Sequence, residues 1–291
     1  MTDRPTPHWT RTDLVPRLVG AGVAIPGLLA VTFYAPNWGL WLLISAAAAV
    51  GAWEYLTMAG ARDSRPAFAL GVAAPFVVLT AAYWLPGTPA AYFAIAFSTL
   101  ALLMACLREA SDPARAGRLM ASLLMSLAYC SLLFGGMLMM VRSDNPHQFD
   151  PHQVGWLLLP MVVIFSGDTG AYFAGRTLGR RKLAPRVSPG KTWEGAIGGL
   201  ISSLVGGFVA HALLAPAYLP PMSPAQVVLL ALPGAVLGQF GDLVESMMKR
   251  SVGAKDSGTL IYGHGGVLDR LDALIFAAPY FAAIRYYLHL S

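Results

Sequence analysis

Long apolar segments are the feature of this sequence that most restricts its fold. Runs of about 18 to 20 apolar residues match the length that an α-helix needs to cross the hydrocarbon core of a bilayer. Nine such runs lie at roughly 18–35, 38–56, 68–85, 90–107, 119–141, 154–175, 193–214, 227–248 and 267–288. Apolar residues make up 56% of the chain and charged residues 12%, whereas a water-soluble domain carries about 25% charge. The sequence therefore predicts an all-α polytopic membrane protein with about nine transmembrane helices.

Basic residues alternate between the two ends of these helices. Loops rich in Lys and Arg tend to stay on the cytoplasmic side, and such residues precede the first run and follow the second, fourth, sixth and eighth. Of the 20 basic residues, only Arg142 and Arg285 fall elsewhere. We therefore expect a cytoplasmic N-terminus and an outside C-terminus. The net charge of +5 needs no nucleic acid as partner, because these loops face anionic lipid headgroups of the bilayer.

Ionisable residues gather at one end of four consecutive helices. Asp168 and Asp242 lie near the ends of the sixth and eighth runs, Glu194 lies in the first turn of the seventh, and Asp269 and Asp272 open the ninth. Because neighbouring helices run in opposite directions, these groups are predicted to share the cytoplasmic depth. Charged side chains at such positions are costly to hold and usually mark a working site.

Helical spacing predicts which polar side chains lie on a common face. Three sets do so: Asp242, Glu245, Ser246 and Lys249; Asp269 with Asp272; and Asp168 with Tyr172. Facing one another, they would line a pocket with carboxylate oxygens, which suit Mg²⁺. The alternative is that these acids only form ion pairs with neighbouring basic side chains at the membrane surface.

The polar residues also divide the chain into two parts of one integral membrane unit. Residues 1–150 contain helices 1 to 5, and residues 151–291 contain helices 6 to 9 with the predicted cytoplasm-facing site. Cys106 and Cys130 both lie inside predicted spans, and their spacing suggests neither a disulfide nor a metal site.

Two loops at the cytoplasmic end are rich in glycine and hydroxyl groups. Residues 263–266 read Gly-His-Gly-Gly before the last helix, where backbone N–H groups could approach phosphate; a glycine-rich turn is the alternative. Ser188-Pro-Gly-Lys191-Thr192 resembles the end of a P-loop, but Pro185 replaces the required glycine and no β-strand is expected before it. Phosphate contact and loop anchoring both stay open for this segment.

Between the last two helices the sequence carries Ser246-Met-Met-Lys-Arg, Lys255-Asp256 and Asp269-Arg-Leu-Asp272. Residues 246–272 closely resemble the signature of the CDP-diacylglycerol synthases, the phosphatidate cytidylyltransferases. The matching positions are Ser246, Lys249, Arg250, Lys255, Asp256, Gly258, Ile261, His264, Gly265, Gly266, Asp269, Arg270, Leu271 and Asp272. Tyr262 departs from the pattern, which usually has Pro, Gly or Ser there. Residues 168–176 and 188–195 look like the family's second block, so the likeness covers about residues 160–280.

The resemblance implies an enzyme that joins CTP to phosphatidate and releases CDP-diacylglycerol and pyrophosphate. It implies a paired metal site in which Asp242 and Asp269 hold Mg²⁺ and a second cation, K⁺, and it makes a homodimer possible. We expect the protein in the cytoplasmic (inner) membrane of a bacterium, with its active site facing the cytoplasm.

The resemblance and the helix faces together give each candidate residue a role. The predicted catalytic residues are Asp242, Asp269, Lys249, Arg250, Lys255, Asp256, Arg270 and Asp272. The predicted substrate-binding residues are Ser246, Gly263, His264, Gly265, Gly266, Asp168, Ser188, Lys191, Thr192 and Glu194. Asp242 and Asp269 are the metal ligands, Asp272 or Asp256 supports them, and the basic side chains neutralise phosphate charge.

Several alternatives stay open at this point. Residues 188–192 could hold either the lipid phosphate or the nucleotide, and His264 could transfer a proton, coordinate phosphate or fix the turn. A CTP-using lipid kinase would need a similar pocket but would release CDP instead of pyrophosphate. A transporter would place polar groups near the bilayer midplane, whereas the midplane stretches here consist of Ala, Leu, Val and Gly.

Overall fold

The computed structural model describes residues 26–258, 260, 265–288 and 290, which form a bundle of long helices. The helices are α1 (26–34), α2 (Asn37–Met58), α3 (Arg65–Trp84), α4 (Ala90–Cys106), α5 (Pro113–Leu127), α6 (Phe134–Val141), α7 (Pro151–Thr177), α8 (Trp193–Leu214), α9 (Pro224–Ser251) and α10 (Leu268–Tyr287). A π-helical segment, Ala128–Leu133, joins α5 and α6 into one continuous helix. Strands β1 (Lys182–Ala184) and β2 (Ser188–Thr192) form an antiparallel hairpin between α7 and α8.

Seven of the described helices are long and apolar enough to cross a membrane. They are α2, α3, α4, the continuous α5–α6 helix, α7, α8 and α9. Helix α10 is as long as α3 but carries the charges of Asp269, Arg270, Asp272 and Arg285. The first predicted run is helical at 26–34, and its earlier residues lie outside the described part. The chain is therefore a nearly all-α membrane protein, and the count of nine helices stays a prediction.

The hairpin between α7 and α8 corrects the expectation that no β-strand precedes Lys191. Lys182 pairs with Thr192 and Ala184 with Ser188. A two-stranded ribbon this short lacks the alternating apolar residues by which a strand is recognised in a sequence. The hairpin turns the chain back from the end of α7 and brings Lys191 to the start of α8.

Small side chains allow α7 and α8 to lie close together along much of their length. A Cβ atom added to Gly206 would lie 2.9 Å from the Cβ of Ser166, so only glycine fits at this contact. The hydroxyl of Ser203 donates a hydrogen bond across the interface to the carbonyl of Val163, at 2.8 Å. Lipid provides no hydrophobic force between helices, so close packing and interhelical hydrogen bonds hold such a pair. This pair carries Asp168 on α7 and Glu194 on α8.

Helix α9 packs against α10 through glycines at 234, 238 and 241. A Cβ at Gly241 would lie 2.6 Å from the carbonyl oxygen of Asp272, and one at Gly234 would collide with the Cζ of Phe281, both on α10. The backbone beside Asp242 therefore lies directly against the backbone of Asp272. This close approach brings the acidic segments of the two helices together.

A buried hydrogen-bond network connects several helices around Asn37, the first residue of α2. The Asn37 amide nitrogen donates to the Val141 carbonyl at 2.8 Å and to Gln153 Oε1 at 2.9 Å. The Tyr83 hydroxyl donates to Asn37 Oδ1 at 2.7 Å. Buried polar groups are normally paired in this way because an unpaired one is costly. The bundle thus has polar layers at both ends and apolar packing between them.

Substitution of Gly206 by Ala should lower the stability of the detergent-solubilised protein. The added methyl meets Ser166 and must separate α7 from α8, and overpacking of this kind costs about 1–3 kcal/mol. Gly117→Ala is the matched control, because a Cβ there meets no atom within 4 Å. In α5, alanine should stabilise slightly, since glycine is disfavoured inside helices. Equal thermal unfolding temperatures for the two variants would contradict the close α7–α8 contact.

Candidate active site

The ammonium group of Lys249 on α9 lies between two carboxylates. Its Nζ is 2.5 Å from Glu245 Oε2, one turn earlier on α9, and 2.7 Å from Asp269 Oδ1 on α10. The three side chains are 12%, 1% and 8% exposed, respectively, so water is largely excluded from this group. The Glu245 carboxylate is buried, and Lys249 is the cation that it contacts. Loss of Lys249 would therefore leave a buried carboxylate without a counter-charge.

The second oxygen of Asp269 fixes the loop between α9 and α10. Oδ2 accepts hydrogen bonds from the Ser257 N–H at 2.8 Å, the Ser257 hydroxyl at 2.9 Å and the Gly266 N–H at 2.9 Å. The Gly266 N–H is thus directed at a carboxylate of the protein itself. Gly265 has a φ of +84°, a left-handed conformation that glycine adopts without steric cost. The predicted motif glycines therefore shape the surroundings of Asp269.

The hairpin meets α9 through an ion pair between Lys191 and Asp242. Lys191 Nζ lies 2.6 Å from Asp242 Oδ2, and the two side chains are 25% and 37% exposed. The Ser246 hydroxyl lies 3.4 Å from the other oxygen of Asp242. Two segments that the sequence assigns to opposite halves of one pocket are therefore in direct contact.

Asp168 and Asp272 extend this acidic cluster. Asp168 interacts electrostatically with both Asp242 and Lys191. Asp272 does so with Asp242, Lys249 and Asp168, and one of its oxygens accepts the Ala273 N–H at 2.7 Å. With Glu245 and Asp269, the cluster holds more carboxylates than lysines, so its interior carries an excess of negative charge when all are ionised.

Besides Lys191, three predicted substrate-binding residues lie in the hairpin and the start of α8. The Thr192 hydroxyl is buried and caps α8 by accepting the Gly195 N–H at 3.1 Å. Glu194 accepts the backbone N–H groups of Arg180 at 3.0 Å and Arg181 at 3.2 Å. Ser188 opens β2 and is partly buried. Thr192 and Glu194 thus hold the hairpin in place, and contact of either with substrate stays a prediction.

The remaining predicted residues that the structure describes lie at the protein surface. Arg250, Lys255, Asp256 and Arg270 are exposed. The Arg250 guanidinium donates to the Ala254 carbonyl at 2.9 Å, which folds it over the end of α9. Gly263 and His264 lie outside the described residues. The exposed basic groups surround an acidic interior.

Sequence reasoning missed Glu54, the only Asp, Glu, Lys or Arg of α2. It is fully buried, and its carboxylate accepts the N–H groups of Val267 and Leu268 at 2.8 and 2.9 Å. The Ser257 hydroxyl lies 3.1 Å from Glu54 Oε2. The available signal was a single acid inside an apolar span, which by itself marks a functional position.

The carboxylates of this cluster suit a cation that is bound partly by the protein and partly by the phosphates of a substrate. Within the described ranges no three His, Cys, Asp or Glu side chains converge on one point as metal ligands. Mg²⁺ in nucleotide enzymes is usually held by one or two carboxylates, with water and phosphate oxygens completing its shell. The half-buried Asp242 fits this role, whereas Asp269 already uses both oxygens for protein donors.

Comparison with known proteins decides the family. Residues 15–288 match the cytidylyltransferase family. The chain belongs to this family. It is 38% identical over 276 residues to the phosphatidate cytidylyltransferase of Pseudomonas aeruginosa, covering 92% of this chain and 95% of that protein. The resemblance seen in residues 246–272 is thereby confirmed.

Two other relatives match over shorter stretches of this cytidylyltransferase. The phosphatidate cytidylyltransferase of Haemophilus influenzae is 45% identical over 139 residues, and that of Brucella suis is 46% identical over 143 residues. These matches span 47% and 48% of this chain and about half the length of each relative, 48% in both cases.

Replacement of Lys249 by Met should strongly destabilise the protein. Breaking a buried ion pair on one side costs about 3–5 kcal/mol, because the remaining charge has no partner. The double variant Lys249→Met/Glu245→Leu removes the orphaned carboxylate and should recover much of the thermal stability in detergent. Similar unfolding temperatures for wild type and Lys249→Met would contradict the buried position of this group.

Proposed function

We propose that this chain is a phosphatidate cytidylyltransferase, which transfers CMP from CTP to phosphatidate. Family membership supplies the reaction class, and the relative from Pseudomonas aeruginosa carries this name over nearly its whole length. The structural observation that supports the proposal best is the charged cluster itself. Lys191 of the hairpin contacts Asp242 of α9, and Lys249 joins α9 to Asp269 of α10.

The reaction needs no covalent intermediate with the enzyme. A phosphate oxygen of phosphatidate attacks the α-phosphorus of CTP and forms the new P–O bond. The bond from that phosphorus to the oxygen bridging to the β-phosphate breaks, and pyrophosphate leaves with the electron pair. Catalysis then rests on positioning the two substrates and on balancing charge. A rigid cluster of charged side chains on three packed elements is suited to both tasks.

The excess of carboxylates in the pocket favours a divalent cation as cofactor. CTP phosphates and the cluster are both anionic, so they repel each other unless positive charge lies between them. Mg²⁺ would supply this charge and stabilise the leaving pyrophosphate. Asp242 is the best-placed ligand of the described residues, and Asp269 remains the second proposed ligand, for which it would have to exchange one of its protein donors. A second cation such as K⁺ stays a part of the proposal that rests on family resemblance.

The lysines and the arginine-rich rim provide the remaining positive charge. Lys191 is partly exposed in its contact with Asp242, so its ammonium group can also donate to an incoming phosphate. Arg250, Lys255 and Arg270 are exposed around the opening and raise the local concentration of anionic substrates. Lys249 is buried and instead keeps Asp269 ionised and fixed.

We place the pocket at the cytoplasmic face of a bacterial inner membrane, with the N-terminus inside and the C-terminus outside. The distribution of Lys and Arg supports this orientation. CTP would enter from the cytoplasm, and phosphatidate would reach the pocket from the bilayer. A homodimer is compatible with this arrangement.

The proposed reaction is tested by incubating the detergent-solubilised protein with CTP and phosphatidate. We expect CDP-diacylglycerol and pyrophosphate in equal amounts, no product in excess EDTA, and recovery when Mg²⁺ is restored. Formation of CDP without pyrophosphate would indicate a lipid kinase and overturn the proposal. Full activity in excess EDTA would contradict the proposed role of Mg²⁺ in the reaction.

The acidic residues of the pocket are tested by two isosteric substitutions. Asp242→Asn and Asp269→Asn should each lower incorporation of labelled CTP into lipid by on the order of 100-fold or more, since each removes charge from the reacting centre. Asp63→Asn is the control, because Asp63 is 77% exposed and lies 3.6 Å from Arg115, outside the pocket. Thermal unfolding should stay close to wild type for Asp242→Asn. Near wild-type activity in either pocket variant would remove that residue from the proposed site.

A further inference from the structure

Glu54 is a buried carboxylate that α2 directs at the start of α10. Its side chain is 0% exposed, and its two oxygens accept the N–H groups of Val267 and Leu268 at 2.8 and 2.9 Å. These residues are separated from Glu54 by 213 and 214 positions in the sequence. The contact therefore joins the first half of the chain to the catalytic motif.

Helix α10 begins without a cap of its own. Its N-cap residue is Val267, which makes no side-chain capping hydrogen bond. The first N–H groups of a helix have no partners within the helix and need an acceptor, and the positive end of the helix dipole favours an anion there. Glu54 supplies both the acceptor and the charge. Near the carboxyl end of α2, the same dipole effect disfavours a carboxylate, so Glu54 gains its stabilisation from α10.

Two glycines of the catalytic loop make room for this carboxylate. A Cβ at Gly258 would lie 3.0 Å from Glu54 Oε1. A Cβ at Gly266 would collide with the Ser257 hydroxyl and with the Glu54 carboxylate. Glycine at 266 is thus required by the approach of Glu54, in addition to any role in phosphate binding.

Ser257 connects Glu54 to Asp269. Its hydroxyl oxygen lies 3.1 Å from Glu54 Oε2 and 2.9 Å from Asp269 Oδ2. A hydroxyl has one proton to donate, so it serves one carboxylate at a time. The backbone N–H groups of Ser257 and Gly266 hold Asp269 from the same loop. Any shift of Glu54 is therefore transmitted to the acid that pairs with Lys249.

We propose that Glu54 is a positioning residue for the transferase site. It caps α10 from α2, fixes Ser257 and the loop around Gly266, and through them sets the place of Asp269 and Lys249. This inference rests on the proposed function, since it assigns Glu54 to the same site. Glu54 itself does not touch the substrates.

The test compares Glu54→Gln with Asn37→Ala, a control on the same helix. Glutamine keeps the size of the side chain but replaces one carboxylate oxygen by an NH2 group, which cannot accept a hydrogen bond. In the observed geometry Val267 and Leu268 each donate to a different oxygen, so one of the two helix N–H groups loses its acceptor. Asn37 is 1% exposed and its hydrogen bonds lie at the opposite end of α2. Thermal unfolding, kcat, KM for CTP and amide hydrogen exchange are measured for both variants.

We expect Glu54→Gln to lower kcat on the order of 10- to 100-fold, because small displacements of a catalytic group cost this much. Its KM for CTP should change much less, and exchange should accelerate in peptides covering 256–270. Asn37→Ala should lower the unfolding temperature at least as much, while kcat stays within about twofold, because no side chain of the site depends on it. Exchange in 256–270 should then match wild type.

Ser257→Ala provides a second variant that leaves every backbone hydrogen bond of the loop in place. It should lower kcat, and its effect should not add fully to that of Glu54→Gln, because both act on Asp269 through one link. Fully additive effects would overturn this link.

Three further results would each overturn the inference: unchanged kcat in Glu54→Gln, unchanged exchange in Glu54→Gln, or an equal fall of kcat in Asn37→Ala. A wild-type protein that makes no CDP-lipid would overturn the proposed function and the catalytic part of this inference together. The exchange measurement would still decide whether Glu54 holds the loop.

Discussion

The buried contact of Lys249 with Glu245 and Asp269 is the interaction on which the catalytic end of this protein depends. An ammonium group with so little exposure is stable only between partners of opposite charge, and here the partners come from two helices. The contact therefore fixes both the distance between α9 and α10 and the direction of Asp269. The loop that carries the family signature is held in turn by the second oxygen of Asp269. Removal of any one member changes the environment of all the others.

Close helix packing makes this arrangement possible. Gly241 brings the α9 backbone against the Asp272 carbonyl, and the small residues of α7 and α8 allow those helices to approach in the same way. In lipid such contacts replace the hydrophobic effect as the force between helices. The same geometry that stabilises the bundle therefore concentrates acidic side chains at one end of the helices.

Much of the site could be predicted from sequence because its parts are local. The spacing of Asp242, Glu245 and Lys249 on one helix predicts a shared face. In the structure, Lys249 forms an ion pair with Glu245, which lies one helical turn earlier. The long apolar runs predict the helices, since length and composition suffice for a membrane span. The sequence predicts that the segments carrying Lys191 and Asp242 lie on two sides of one pocket. It does not predict that these two side chains form an ion pair.

The remaining parts depend on contacts that no local pattern encodes. The hairpin at 182–192 has too few residues for an alternating pattern, so it was missed. The Glu194 carboxylate accepts the backbone N–H groups of Arg180 and Arg181 just before the hairpin, a contact that its place in the sequence does not indicate. Glu54 meets its partners more than 200 positions away, and a single sequence does not indicate which helix end a lone acid will reach.

The capping of α10 by Glu54 also bears on how the protein is made. Chains are synthesised from the N-terminus, so α2 enters the membrane before the residues that donate hydrogen bonds to Glu54 exist. Until α10 is made, Glu54 is a polar side chain in an apolar segment without these donors, and this is costly. Insertion of α10 supplies these hydrogen-bond donors and brings Asp269 close to them. Formation of this contact is thus coupled to the synthesis of α10, and a chain that stops before α10 lacks the backbone N–H groups that bind Glu54.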